Sequence, residues 1–261
     1  MSEAGQPKGP VADPSIAGEV LFARYAFPPN ELGYCGTGDG RELLDLTSGI
    51  GAGPAEVAAH ARRFDGAWPY LEMIASSSGI DDPLDVRVVE AYWVGNALLD
   101  AVDPAYFAGE VRRHFATQSG ADWNSLDGVQ PRSAVPHHCF HVFVIYPWMG
   151  ILRRGHRGPA LRVLDGCRIR WGQVVSVGNE HLQVSCQSLT WDGSTLGLGE
   201  PRVETARWAD SGRSLSAAVT SGAWVSLHWD WVCDVLTAPQ VEALRDFTTR
   251  QLERSNRSPS T

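Results

Sequence analysis

From Leu161 onward, turn residues cut the chain into short alternating runs, and this feature limits most narrowly what it can fold into. Cys167–Val177, His181–Ser188, Arg202–Trp208 and Trp224–Val235 carry a period-2 pattern rich in β-branched and aromatic residues. Gly178-Asn179, Trp191-Asp-Gly-Ser and Asp210-Ser-Gly fall between them as hairpin or turn signals. Strands at this spacing predict a small antiparallel β-barrel over residues 161–254, closed by an amphipathic C-terminal helix. In that helix Thr237 is the expected cap, Pro239 sits early, and Val241, Leu244, Phe247 and Leu252 share a face.

Upstream the spacing is helical, so the fold class is α+β, with a mostly helical domain over residues 15–160. Ser15 is read as the cap of a helix that ends at Phe27, because the residue before Pro28-Pro29 is disfavoured in the helical region. A glycine-rich loop, Asn30–Gly40, carries Cys35. Helices are expected at Arg41–Thr47, at Pro54–Ser77 with a break near Gly66 and Pro69, at Pro83–Val102 and at Pro104–Thr117. In the third of these, Val86, Val89, Trp93, Ala97 and Leu98 mark one buried face. Residues 118–136 read as a connector, and residues 1–14 and 255–261 as disordered ends.

Composition removes several classes of function. A formal charge of −8 leaves no basic footprint for a nucleic-acid backbone. Five cysteines, an odd number at irregular spacings, predict reduced thiols and a cytoplasmic protein rather than a disulfide framework. The polar, Pro/Gly-rich N-terminus does not read as a secretory signal, and no 18-residue apolar span predicts membrane insertion. Nucleotide-loop, dinucleotide and serine-hydrolase motifs are missing from the sequence.

Two groups of residues could carry chemistry. His137, Cys139 and His141 would share one face of a strand, whereas in a helix His137 and His141 would meet at i and i+4. The apolar run that follows fits a buried strand or a short helix equally. Imidazole and thiolate suit zinc, iron, nickel or copper, while imidazoles hydrogen-bonded at a lobe interface account for the same cluster without a metal. The second group is Cys167 with His228; Asp230, two residues on, would share its strand face and orient the imidazole.

Specific residues give this second group its meaning. Cys167, Gly172 five residues later, and Val174-Val175 are followed at a distance by Gly222, Trp224-Val225 and Leu227-His228, with the helical segment Pro239–Leu252 after them. In this order and spacing, residues 167–252 resemble the HypC/HupF-type chaperones of [NiFe]-hydrogenase maturation. Those are small barrel proteins that carry an iron centre with cyanide and carbonyl ligands. The resemblance implies Cys167 as thiolate ligand of an iron fragment, His228 beside it, and a hydrogenase large subunit or other maturation proteins as partners. In that family the cysteine follows the initiator Met, whereas Cys167 is internal, and Trp191–Pro201 is an insertion between the matching strands. Three expectations therefore stand side by side: an iron-holding assembly factor, a metalloprotein or metalloenzyme using His137, Cys139 and His141, and a metal-free interaction module with a Trp-rich surface.

Overall fold

The computed structural model describes residues 14–36, 40–49, 53–117, 134–216 and 218–257. Among these residues there are ten α-helices: α1 (Pro14–Glu31), α2 (Arg41–Thr47), α3 (Pro54–Ala61), α4 (Trp68–Ser77), α5 (Val86–Trp93), α6 (Pro104–Phe115), α7 (His138–Phe140), α8 (Trp148–Arg153), α9 (Arg157–Cys167) and α10 (Ala238–Arg257). Nine strands lie between the last two: β1 (Arg170–Val177), β2 (His181–Cys186), β3 (Leu189–Trp191), β4 (Leu196–Leu198), β5 (Arg202–Arg207), β6 (Ala209–Asp210), β7 (Arg213–Ser214), β8 (Trp224–His228) and β9 (Trp231–Leu236). The fold is mixed α+β, with a sheet-rich C-terminal region and a C-terminal helix. Among the described residues no helix is long and apolar enough to cross a membrane.

The main sheet runs β1-β2-β5-β9-β8 and closes on itself, β8 returning to β1 through Arg170↔Leu227 and its neighbours. Every ladder is antiparallel except the contact of β5 with β9, a single parallel bridge at Arg207↔Trp231. Alternation places Val174, Leu182, Val184, Ala206, Val225 and Leu227 inside the ring as a small core of its own. The segment 189–198 folds out as a β3-β4 hairpin, and Asn256 on α10 grips both the N–H and the carbonyl of Leu196 (2.8 and 2.9 Å).

Helix α1 does not stop at Phe27. It runs through Pro28 and Pro29 to Glu31, and Ser15 lies inside its first turn rather than at its cap. Buried Phe22, Ala23, Tyr25, Ala26 and Phe27 pack this helix against α2, α3, α5 and the β8-β9 pair. Burial on that scale offsets the local cost of proline in a helix, about 3 kcal/mol. Helix α5 ends sooner than its apolar stripe suggested, because Gly95 turns the backbone left-handed (φ 101°) and leaves Ala97 and Leu98 in a 3-10 turn outside the buried face.

The run after His137 is helical, but not regularly so. His138–Phe140 is α-helical and His141–Ile145 widens into a π-turn, closed by Tyr146 N–H donating to the His141 carbonyl (3.1 Å). Such widened turns recur at functional sites. Three further expectations are corrected. Cys167 is the last residue of α9, not the head of a strand, which begins at Arg170. Trp224–Val235 is two strands, broken by a turn at Trp229-Asp230. The last helix extends to Arg257, so residues 255–257 are ordered; residues 1–13, 118–133 and 258–261 lie outside the described residues.

Candidate metal centre

Three element ends converge at one point. His138 opens α7, Cys167 closes α9 and His228 closes β8, and their ligand-capable atoms lie within 4.8 Å of one another. Among the described residues this is the only group of three or more His, Cys, Asp or Glu so placed. All three are buried, and Trp93 covers both imidazoles, its ring centroid 4.6 Å from His138 and 5.7 Å from His228.

Hydrogen bonds fix the state of each ring. His228 Nδ1 donates to the Tyr25 carbonyl (2.7 Å), so the neutral ring carries a bare lone pair on Nε2. That atom is buried without a hydrogen-bond partner, although the Cys167 backbone stands near the ring. A buried polar atom left unmatched costs about 1–3 kcal/mol. His138 Nε2 must donate to the Cys167 carbonyl (2.8 Å), since a carbonyl only accepts, so Nδ1 is the bare nitrogen and faces the Tyr92 hydroxyl (3.1 Å). The one Tyr92 proton is shared with the Gly66 carbonyl, 2.6 Å away.

Burial favours the uncharged form of all three groups. Burial pushes the Cys167 thiol well above its ordinary range, helped by the nearby Cys35 and Cys139 thiols. Burial also holds His228 well below the usual imidazole value, with His138 opposing its charge, and takes His138 down to about 4. A thiol and two neutral imidazoles make a soft donor set suited to iron, zinc, nickel or copper, and binding would expel the thiol proton. As ligands, Cys167 and His228 need only that proton loss; His138 must also release a hydrogen bond.

A family model with the description "Family of unknown function (DUF6390)" matches residues 14–261. The chain belongs to the DUF6390 family. Neither curated proteins nor solved structures gave a match.

In this DUF6390 chain the structure brings Cys167 and His228 together, 61 positions apart in sequence, and adds His138, which strand parity had set aside. The signal for His138 was its place among three histidines in five residues; only the helical phase of 138–140 turns it toward Cys167. His137, Cys139 and His141 are not assembled. His137 caps α7, its Nδ1 accepting from Cys139 N–H (3.1 Å), and its ring stacks on Phe247 at 4.4 Å. Cys139 Sγ lies 3.7 Å from the Thr248 hydroxyl of α10 and its thiol is pushed up to about 11 by burial. His141 instead meets the Tyr70 hydroxyl through Nδ1 (3.0 Å). Asp230 does not share a face with His228 either: the turn diverts it to an ion pair with Arg207 (2.8 Å), and the Tyr25 carbonyl orients the imidazole in its stead.

Trp229 follows His228 directly and packs on the residue before Cys167. Its indole lies over Gly166, where a Cβ would come within 2.6 Å of the ring, and its main-chain N–H donates to the Gly166 carbonyl (2.7 Å). Trp229 is held left-handed (φ 55°), a strained conformation for a large side chain, and Tyr34 stacks on it at 4.5 Å.

Proposed function

We propose that this protein is an accessory factor in metal-centre assembly, which holds a soft transition-metal fragment between Cys167 and His228 and delivers it to a client. The observation that carries this reading is the convergence of the Cys167 thiol and the unpartnered His228 Nε2 at ligand separation. Both stand on the two segments whose order resembles the HypC/HupF-type chaperones. On that resemblance the cargo is iron bearing cyanide and carbonyl groups, and the client is a [NiFe]-hydrogenase large subunit or a fellow maturation protein. A closed five-strand ring with a following helix supports the same comparison. One difference has a functional meaning: Cys167 sits at a helix end, 2% exposed, so loading and release require movement around it.

Infrared spectra of the protein purified from a hydrogenase-producing host test the reading. Metal-bound cyanide and carbonyl bands in the wild type, lost in Cys167→Ala, are expected. Their absence from both, together with no bound metal in the wild type, would sink it.

A further inference from the structure

Beside the centre lies a cavity of about 390 Å³, lined in part by Cys35, Arg63, Gly66, His114, His141 and Tyr146. Two independent features in it point to a ligand. His141 is 2% exposed, its Nδ1 is engaged by Tyr70, and its Nε2 has no partner among the described residues. The missing side chain of Gly66 leaves room over this nitrogen: a Cβ there would stand 3.2 Å from His141 Nε2 and 3.6 Å from the Tyr146 hydroxyl. Cys35, in turn, is a half-buried thiol whose Sγ lies 2.9 Å from that same hydroxyl.

The wall between cavity and centre is thin. Gly66, on the cavity side, contacts the Tyr92 hydroxyl through its carbonyl (2.6 Å); Tyr92 reaches His138 Nδ1 (3.1 Å); and His138 Nε2 reaches the Cys167 carbonyl (2.8 Å).

We propose that this cavity is the receiving site for the buried centre: a soft transition-metal cation is first taken by Cys35, in a chamber where His141 offers a neutral imidazole, and then passes to Cys167. This rests on the carrier reading above. The exchange balances without oxidant or reductant. Cys35 loses its thiol proton to solvent as its sulfur binds the metal. On transfer the Cys167–metal bond forms, the Cys35–metal bond breaks, and the Cys167 proton moves to Cys35, so one proton leaves per metal held and the metal keeps its oxidation state.

Cobalt(II) alone, added to the full chain, supplies the test through its thiolate absorption and through iodoacetamide labelling mapped by mass spectrometry. In the wild type with one equivalent, Cys35 should stay open to alkylation while the Cys167 centre fills. In Cys167→Ser, checked for folding by circular dichroism, the cation should halt in the cavity and slow Cys35 alkylation severalfold. In Cys35→Ser the centre should reach the same final absorption severalfold more slowly. Cobalt-independent alkylation of Cys35 in Cys167→Ser overturns the receiving role, as does wild-type loading speed in Cys35→Ser. Should the wild type take up no cobalt, or Cys167→Ser give the wild-type spectrum, the carrier reading falls and this inference with it.

Discussion

The Tyr25 carbonyl is free to accept from His228 because Pro29, four residues on, has no N–H to offer it. A residue that costs stability as a helix former thus holds the imidazole with Nε2 facing the centre. Pro29→Ala restores a competing donor on the same oxygen. Supporting hydrogen bonds to metal-binding histidines are worth about 10–100-fold in affinity, so the expected loss of cobalt affinity is about tenfold, with helix content unchanged or raised. Equal affinity in a cobalt titration would show that the Tyr25 contact does not set the ring.

Acid should destabilise the metal-free protein well above the range where carboxylates titrate. Burial takes His137 and His141 down to about 3 and His138 down to about 4, whereas an unfolded imidazole has a value of about 6.5. The folded state therefore binds protons more weakly than the unfolded chain. The contribution is complete above about pH 6.5 and is lost as pH falls toward the folded values, by about 1.4 kcal/mol per pH unit for each ring. Urea midpoints should drop steeply between about pH 6 and 4, and His141→Gln should make the drop shallower. A flat profile for the wild type would contradict the neutral, buried state of these rings.

Gly166→Ala puts a methyl group 2.6 Å from a Trp229 ring carbon. Overpacking of this kind costs about 1–3 kcal/mol unless the indole moves. If it does move, the packing beside Cys167 loosens, and alkylation of that thiol should accelerate alongside the loss of stability. A variant as stable and as slowly alkylated as the wild type would mean that Trp229 does not shield Cys167.

Metal should stabilise the fold chiefly through the Cys167 centre. Cobalt or zinc in excess raises the thermal midpoint by mass action, the folded state gaining about 2.7 kcal/mol at a hundredfold excess over the dissociation constant. Chelator should reverse the shift, and Cys167→Ser should cut it to what the cavity alone can hold while His137→Gln keeps it in full. Loss in His137→Gln with retention in Cys167→Ser would transfer the site to the α7 cap.

Much of the framework was legible because it depends on local signals. Asp103 followed by Pro104 marked the start of α6, and Asp103 does accept from Tyr106 N–H (2.8 Å). The glycines of the β3-β4 and β6-β7 turns fell where expected, as did the buried face Val241, Leu244, Phe247 and Leu252 of α10. The errors arose where tertiary packing overrode a local rule. Strand alternation read backward over Arg168 and Ile169 drew Cys167 into the sheet, since neither Gly nor Pro follows Cys167 where α9 ends. The turn after His228 was hidden because its left-handed position is filled by Trp229, a residue that gives no turn signal. For the centre, residue type and spacing named Cys167 and His228, but only the helical phase of α7 could select His138 over His137.

The closed ring of strands depends at its weakest point on one bridge, Arg207↔Trp231. Around that seam Arg207 also grips Glu31 at the end of α1 (2.6 Å) and Asp230 in the turn (2.8 Å), while the Trp231 indole donates to Glu31 (2.9 Å). The seam is therefore a clasp between ring and helix. Parting it would loosen, in one motion, the end of the helix that steadies His228 and the turn that carries Trp229, leaving the four longer ladders intact.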